Sequence, residues 1–203
     1  MPPTGTTNDR RAVAQALRER RTVSQGALDP HAQPERRVVW AALESARWAP
    51  NHHLTEPWTF YVLDAGRTER LGELWADVQA RKGAKPEKVE RKRLEWGRAP
   101  GVMVMTCSSA PGADETVRKE DYAACCCAAQ NFALGLWSEG LGCKWSTGAV
   151  WEHEDFWALL GHTAPPEHTE VVGVFFYGVP TRVPASRRTK ALADVVVDFT
   201  KEA

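Results

Sequence analysis

The sequence has no long apolar segment and no excess of either charge. Of its 203 residues 43% are hydrophobic, yet no apolar run approaches the roughly 20 residues that a membrane-spanning helix needs. The amino terminus, MPPTGTTNDRR, lacks the apolar core of a secretory signal. Lysine and arginine total 26, as do aspartate and glutamate, so no net field attracts nucleic acid or an anionic membrane surface. We therefore expect a soluble, cytoplasmic protein that binds neither.

The sequence also lacks the patterns that mark several common kinds of site. It contains no GxSxG nucleophile motif, no phosphate-binding P-loop and no GxGxxG turn after a strand. The five cysteines include no CxxC pair, and an odd number does not suit a disulfide framework. Cys125, Cys126 and Cys127 point in three directions on a helix, and the adjacent His52 and His53 also diverge. These absences argue against a metal centre and a disulfide scaffold.

Helical and strand-like patterns alternate along the chain. Apolar residues at helical spacing predict amphipathic helices on both sides of the strand-like stretch WTFYVLD. Two uninterrupted apolar runs, GVMVMTCS and TEVVGVFFYG, are typical of strands that are covered on both faces. Residues 118–139, rich in alanine and cysteine, predict a central and fully buried helix. The alternation predicts a single sheet with helices on both sides.

Three further segments carry local expectations. Residues 83–100, GAKPEKVERKRLEWGRAP, are highly charged and broken by glycine and proline, which indicates a mobile helix or lid on the surface. Residues 152–155, EHED, suit the acidic start of a helix. The apolar DVVVDF near the carboxyl end suits an edge strand. No repeat marks a second domain, so we expect a flexible segment 1–11 followed by one domain, residues 12–203.

Four short segments carry groups suited to a phosphorylated aromatic cofactor. RERRT, residues 18–22, and SRRTK, residues 186–190, offer guanidinium and hydroxyl groups, and arginine binds phosphate through bidentate, charge-assisted hydrogen bonds. WAPNHHLTEPWTF, residues 48–60, and WSTGA, residues 145–149, add flat rings and a glycine that lets backbone approach a ligand. Each basic cluster alone is typical of a solvated helix end or tail. Together the four segments predict one cofactor site.

The same segments give the chain a family resemblance. RRT resembles the Arg-Arg-Ser signature of the FMN-dependent nitroreductase family, and WAPNHHLTEPWTF resembles its Ala-Pro…Gln-Pro-Trp-X-Phe segment. EGLGCKWSTGAV and EVVGVFFYGVP are similar to its Gly-Leu-Gly-X-X-Trp-X-X-Gly and Val-Val-Gly-X-X-X-X-Gly-X-Pro stretches. The four motifs are in register over residues 12–197, and the short length resembles the compact bacterial branch. The resemblance implies an α+β, three-layer α-β-α fold with a central mixed sheet and helices on both faces.

The resemblance also implies a homodimer with two FMN sites, each built from both chains. The residues that match the family's phosphate and ribityl ligands are Arg20, Arg21 and Thr22. The residues that match its loop beside the flavin ring, near N5, are Trp145, Ser146 and Thr147. Trp48 and His52 match positions that reach the flavin of the partner subunit. Either Arg187 or Arg188 matches a phosphate ligand near the carboxyl end.

The activity implied by the resemblance is FMN-dependent reduction of a small-molecule acceptor by NADH or NADPH. A hydride passes to flavin N5 and then to a nitroaromatic, a quinone or a similar acceptor, in a ping-pong sequence that needs no catalytic side chain. Two alternatives remain open: a flavin-dependent dehydrogenase or dehalogenase for one metabolite, and an FMN-binding protein without turnover. Many relatives have Asn at the position of Leu54 and Gln at that of Glu56. We expect these two departures to affect substrate choice rather than cofactor binding.

Overall fold

The computed structural model describes residues 7–185 and 187–200, without the side chains of residues 7–10. The helices are α1 (Thr7–Glu19), α2 (Arg36–Arg47), α3 (Ala65–Arg81), α4 (Pro86–Gly97), α5 (Glu115–Ser138) and α6 (Phe156–Leu159). The strands are β1 (Trp58–Val62), β2 (Gly101–Ser108), β3 (Gly142–Ser146) and β4 (Thr169–Gly178). Short 3-10 turns cover Gln25–Ala27, His52–Leu54, Ala149–Glu152 and Leu192–Asp194. The first helix begins at Thr7, inside the segment 1–11 for which the sequence predicts flexibility, and residues 1–6 lie outside the described part of the chain.

The four strands form one sheet in the order β1-β2-β4-β3, and every neighbouring pair is antiparallel. Along β2 the register pairs Trp58 with Cys107 on one side and Gly101 with Tyr177 on the other. Beyond β3, Thr22 makes an isolated parallel bridge to Cys143. The expected mixed sheet is therefore antiparallel among the four described strands, and the parallel contact is limited to this isolated bridge.

One face of the sheet packs against α2 and α5. Alternate residues of β2 and β4 point towards these helices and are fully buried, among them Met103, Met105 and Phe175. The two helices lie close together, because a Cβ on Gly135 of α5 would stand only 3.0 Å from the Cα of Ala42.

The other face packs against α3 and α4, which confirms the three-layer α+β prediction. Val102, Val104 and Phe176 point to this side and are buried. Between the two helices, the rings of Trp75 and Trp96 stack with centroids 4.7 Å apart. Apolar surface is therefore removed from contact with water on both faces of the sheet.

Of the two alternatives predicted for residues 83–100, a mobile helix or a lid on the surface, the structure shows a helix, and this helix is packed against the rest of the protein. Residues 86–97 form α4, which packs along α3 with Trp96 only 4% exposed. At the crossing, a Cβ on Gly72 would lie 2.6 Å from the amide nitrogen of Gly97, so the helices touch backbone to backbone. The charges of α4 form exposed pairs along its outer surface, such as Arg93 with Glu90. The charge density of this segment thus reflects a solvated face of a packed helix.

The long helix α5 also departs from its prediction. It begins at Glu115 rather than at residue 118, because the Asp114 carboxylate accepts a hydrogen bond from Val117 N at 2.9 Å. The expected full burial is wrong for the single chain. Phe132 and Leu136 are buried, whereas Cys127 and Gln130 on the opposite side are exposed.

The carboxyl-terminal tail is exposed at every described residue from Thr181 to Thr200. The predicted edge strand in DVVVDF does not form in the single chain, since residues 195–200 pair with no strand of the described part. Val197 and Phe199 are 78% and 91% exposed. No helix within the described ranges combines the length and the apolarity that a membrane span requires.

Candidate functional site

A small cleft of about 100 Å³ opens at the β3 edge of the sheet, under α5. It brings together three residues that the sequence analysis selects from distant parts of the chain. Arg20 and Thr22 come from the segment after α1, and Trp145 comes from β3. The rest of the lining is uncharged: Ala129, Gln130, Ala133, Cys143 and Phe175.

The segment after α1 owes its orientation to its pairing with β3. Thr22 bridges to Cys143, and Val23 N donates to the carbonyl oxygen of Cys143 at 3.1 Å. Because extended backbone sends successive side chains to opposite sides, Val23 enters the core while Arg20 and Thr22 reach the cleft. The Nε of Arg20 is buried and has no hydrogen-bond partner within the described residues. A buried donor of this kind needs an acceptor, which a ligand can supply.

Arg21 points elsewhere, although it is adjacent in sequence. Its Nη1 donates to the carbonyl oxygens of Arg18 at 2.6 Å and of Arg20 at 3.0 Å. These are free carbonyls at the carboxyl end of α1, where a cation is favoured. The structure therefore places Arg21 at the helix end and outside the cleft.

Trp145 forms the flat wall of the cleft. Its indole N–H donates to the carbonyl oxygen of Val172 at 3.0 Å, and its ring stacks on Phe175 with centroids 5.4 Å apart. Gly173 makes this position possible, because a Cβ there would overlap the indole nitrogen. The ring stays 38% exposed, so one face remains available to a planar ligand.

The two residues after Trp145 differ in environment. The side chain of Ser146 is buried, and its Oγ has no hydrogen-bond partner among the described residues. Thr147 is exposed. Ser146 is thus a second unpaired polar group close in sequence to the wall of the cleft.

Apart from Arg20, the titratable residue that lines the cleft is Cys143. Burial raises the pKa of Cys143 to about 12, and the guanidinium of Arg20 opposes this shift only in part. The thiol is consequently protonated at neutral pH. With no carboxylate among its lining residues, the cleft carries the single positive charge of Arg20 and favours an anion.

The segment with Trp48 and His52 does not line the cleft of its own chain. His52 Nδ1 lies 2.7 Å from Glu120 Oε2, and Thr55 Oγ1 donates to Asp121 Oδ1 at 2.7 Å, which fastens the segment to the amino-terminal part of α5. Trp48 is 77% exposed, with its indole N–H donating to Glu44 at 2.9 Å. Both predicted residues lie on the surface of the single chain.

The two predicted arginines of the tail, Arg187 and Arg188, are exposed, and neither lines the cleft. Sequence reasoning missed the contribution of α5, where Ala129 and Ala133 leave room for the cleft and Gln130 adds a polar edge. The small residues of this helix indicated close packing, but one sequence does not show which side faces a cavity.

The expectation of an acidic helix start at residues 152–155 is wrong. Asp155 precedes α6 but makes no side-chain cap. Instead, Glu154 accepts two hydrogen bonds from Arg81 of α3, and Asp155 accepts one from Arg70. The bond from Arg81 is the main reason that the pKa of Glu154 falls to about 2. These acidic groups fasten the chain after β3 to α3.

Comparison with known proteins decides the family. The model of the nitroreductase family matches residues 17–178, well over half of the chain. The chain belongs to the nitroreductase family. The match covers Arg20, Thr22 and Trp145 of the cleft, and it ends where the exposed tail begins.

Individual relatives agree with this assignment. YfhC of Bacillus subtilis is 24% identical over 198 residues, which are 96% of this chain and 97% of the relative. A nitroreductase-like family protein from Bacillus cereus has a solved structure with 26% identity and a TM-score of 0.74, covering 99% of this chain and 100% of its own. The FMN-dependent nitroreductase NfnB from Mycobacterium smegmatis, solved in complex with NADPH, shares the fold at 16% identity and a TM-score of 0.71, over 95% and 99% of the two chains.

Proposed function

We propose that the protein is an NAD(P)H-dependent flavin oxidoreductase that binds FMN at the cleft of Arg20, Thr22 and Trp145. Residues 12–203 act as one domain, and the electron acceptor is a small molecule such as a nitroaromatic or a quinone. Membership of the nitroreductase family supports this proposal, and the structural relative NfnB is an FMN-dependent enzyme that was solved in complex with NADPH. All five cysteines are free, in keeping with a reducing, cytoplasmic location.

The observation that carries the proposal is the unpaired, buried Nε of Arg20 at the cleft. A buried guanidinium donor without a partner is costly, and a phosphate oxygen is among the acceptors that satisfy it best. Thr22 lies beside it with a hydroxyl suited to the phosphate or the ribityl chain. The residues present therefore fit a phosphorylated cofactor.

The flat wall of the cleft suits an aromatic ring. Trp145 presents a flat, partly exposed face, and the unpaired Oγ of Ser146 follows it directly in the chain. FMN, when bound, supplies the capacity to accept and pass on a hydride. The protein's own task is to bind and orient, because the lining offers no carboxylate or imidazole to move a proton and the Cys143 thiol stays protonated. NADH or NADPH is the proposed hydride donor.

We also propose that the active molecule is a homodimer. The tail residues Val195, Val197 and Phe199 are more than half exposed, an arrangement that is rare for apolar side chains of a monomer. At the other end of the sheet, the edge strand β1 borders an open groove of about 580 Å³, whose walls include Trp40 and Phe60. The unpaired edge of β1 and this groove suit an apolar, extended segment from a second copy.

A second exposed surface supports the same assembly. Val13 and Leu17 of α1 are 63% and 48% exposed, and an apolar groove of about 370 Å³ runs between α1 and the outer side of α5 near Leu134. Covering both surfaces would bury the side of α5 that is exposed in the single chain. In such a dimer Trp48 and His52, which do not line their own cleft, would serve the cleft of the partner subunit.

The test is the colour and the cofactor content of the purified protein. We expect a yellow protein that releases noncovalent FMN on denaturation, in a ratio of one FMN per chain, and that oxidises NADH or NADPH when a quinone or nitroaromatic acceptor is present. A colourless protein that also fails to quench the fluorescence of added FMN would contradict the proposal. Steady-state assays over a panel of acceptors would then show whether one substrate dominates.

A further inference from the structure

His153 is a buried polar residue that the proposed site does not use. Its side chain is only 5% exposed. The ring nitrogen Nδ1 accepts a hydrogen bond from the backbone N–H of Asp155 at 3.1 Å. Because Nδ1 is an acceptor, the proton of the neutral ring lies on Nε2, which donates to Asp77 Oδ2 at 2.9 Å. One ring thus joins the chain after β3 to helix α3.

The carboxylate that receives this bond is itself held in place. Arg81 Nη2 lies 2.6 Å from Asp77 Oδ2 and 2.7 Å from Glu154 Oε1. Arg81 Nη2 also lies 3.5 Å from His153 Nε2, but both of these atoms are donors in the assigned tautomer, so this approach is not a hydrogen bond. The guanidinium therefore orients Asp77 towards the imidazole rather than competing for it.

The ends of residues 147–152 are both fixed as a result. At one end Ser146 belongs to β3 and pairs with Val174. At the other end His153 is tied to α3. Between them, the backbone of Gly148 rests near Trp75, since a Cβ there would lie 3.4 Å from the indole ring. The backbone that follows Trp145 is therefore held from the α3 side as well as from the sheet.

We infer that His153 is a positioning residue for the cofactor site: through Asp77 it holds the backbone of residues 147–152, which directly follows the cleft wall Trp145, and thereby keeps the cleft in the shape that binds FMN. The inference rests on the proposed function. In this inference the cofactor site depends on the hydrogen bond from Nε2 to Asp77 of α3. It does not depend on the turn between residues 153 and 155 that Nδ1 stabilises. These two roles use different nitrogen atoms of one ring, so they can be separated by substitution.

The experiment uses two amide substitutions with different reach. The amide of glutamine ends near the position of Nε2, whereas the amide of asparagine ends near that of Nδ1. His153→Gln preserves the link to Asp77, and His153→Asn preserves only the local turn. The dissociation constant of FMN would be measured for each apoprotein by quenching of flavin fluorescence, with thermal unfolding as a check on folding.

We expect His153→Gln to bind FMN within about threefold of the wild type and His153→Asn to bind about tenfold or more weakly, the scale of one lost buried hydrogen bond. Asp77→Ala removes the partner of Nε2 and should also weaken FMN binding. Because Asp77 is partly exposed, this variant can be tested even if a His153 variant does not fold. The matched control is Arg93→Gln, which removes an exposed ion pair with Glu90 within α4 and should leave FMN affinity unchanged.

Three results would overturn the inference. The first is wild-type affinity in both His153→Asn and Asp77→Ala. The second is tight binding by His153→Asn together with weak binding by His153→Gln, which would assign the role to the local turn. The third is a wild-type chain that binds no FMN, and this result alone also overturns the proposed function.

Discussion

Arg20 and Arg21 are neighbours in the sequence with the same side chain and different surroundings. The guanidinium of Arg21 is satisfied by the last carbonyls of α1, while the Nε of Arg20 is buried without a partner at the cleft. A residue's identity sets what it is able to bind, but the backbone around it decides what it meets. The alternation imposed by the bridge from Thr22 to Cys143 separates the two roles.

This difference leads to a prediction at the residue scale. Arg20→Ala should weaken FMN binding by about 1.5–3 kcal/mol, the usual contribution of a hydrogen bond to a charged group. Arg21→Ala is the matched control and should change FMN affinity by less than about 0.5 kcal/mol, because its hydrogen bonds go to backbone carbonyls at the carboxyl end of α1 and not to the cleft. Titration of each apoprotein with FMN would measure both values. Equal losses in the two variants would remove the cleft from the proposed site.

At the scale of the element, α3 and α4 are held together by direct backbone contact. A Cβ atom on Gly72 would lie 2.5 Å from the carbonyl oxygen of Arg93 and 2.6 Å from the amide nitrogen of Gly97. The stacked rings of Trp75 and Trp96 lie along the same seam. Glycine lowers helix propensity, so its presence inside α3 indicates that this close approach stabilises the fold more than an alanine would stabilise the helix.

The corresponding prediction compares two glycines of α3. Gly72→Ala should force α3 and α4 apart and lower the free energy of unfolding by about 1–3 kcal/mol, as overpacking does elsewhere. Gly66→Ala, where the nearest atom would lie at 3.6 Å, should be neutral or stabilise by up to about 1 kcal/mol. Urea unfolding of both variants would provide the comparison. A neutral Gly72→Ala would show that the helices separate at no cost.

The elements also show what a sequence can predict. β2 and β4 are evident from the sequence because a strand covered on both faces is apolar at nearly every position, and this signature is local. The packing of α4 was not predictable, because it depends on Gly72, Trp75 and Trp96 meeting across two helices. The same reason limits the site. Arg20, Thr22 and Trp145 belong to recognisable motifs, whereas His153 acts through Asp77, which lies 76 positions away in the chain.

At the scale of the whole molecule, the single chain leaves two apolar surfaces open and keeps the predicted site residues Trp48 and His52 away from its cleft. The exposed tail with Phe199 and the groove beside β1 lie at different places on the same chain, so a twofold assembly could satisfy both surfaces at once. The segment of His52 contains left-handed residues at His53 and Leu54, a costly conformation that hydrogen bonds to α5 hold in place. Holding a surface segment so firmly is reasonable if it serves a partner subunit.

Complementation between two defective chains tests this arrangement. We expect the wild type to sediment as a dimer and the variants Arg20→Ala and His52→Ala each to reduce NAD(P)H-dependent turnover. A heterodimer of the two variants, isolated with two different affinity tags, should recover about half of the wild-type turnover, because one of its shared sites carries both lesions and the other carries none. The two homodimers are the controls. A heterodimer no more active than these, or a monomer that retains FMN, would contradict the shared site.

The bridge between Thr22 and Cys143 also has a consequence for protein synthesis. Residues 20–22 leave the ribosome early, but the strand that orients them follows more than a hundred positions later. At typical rates of translation this interval is on the order of ten seconds. Until β3 has emerged, the nascent chain has no strand edge on which to arrange Arg20 and Thr22. Loading of a cofactor therefore follows the synthesis of β3, and a shortage of FMN in the cell would leave folded chains to be filled later.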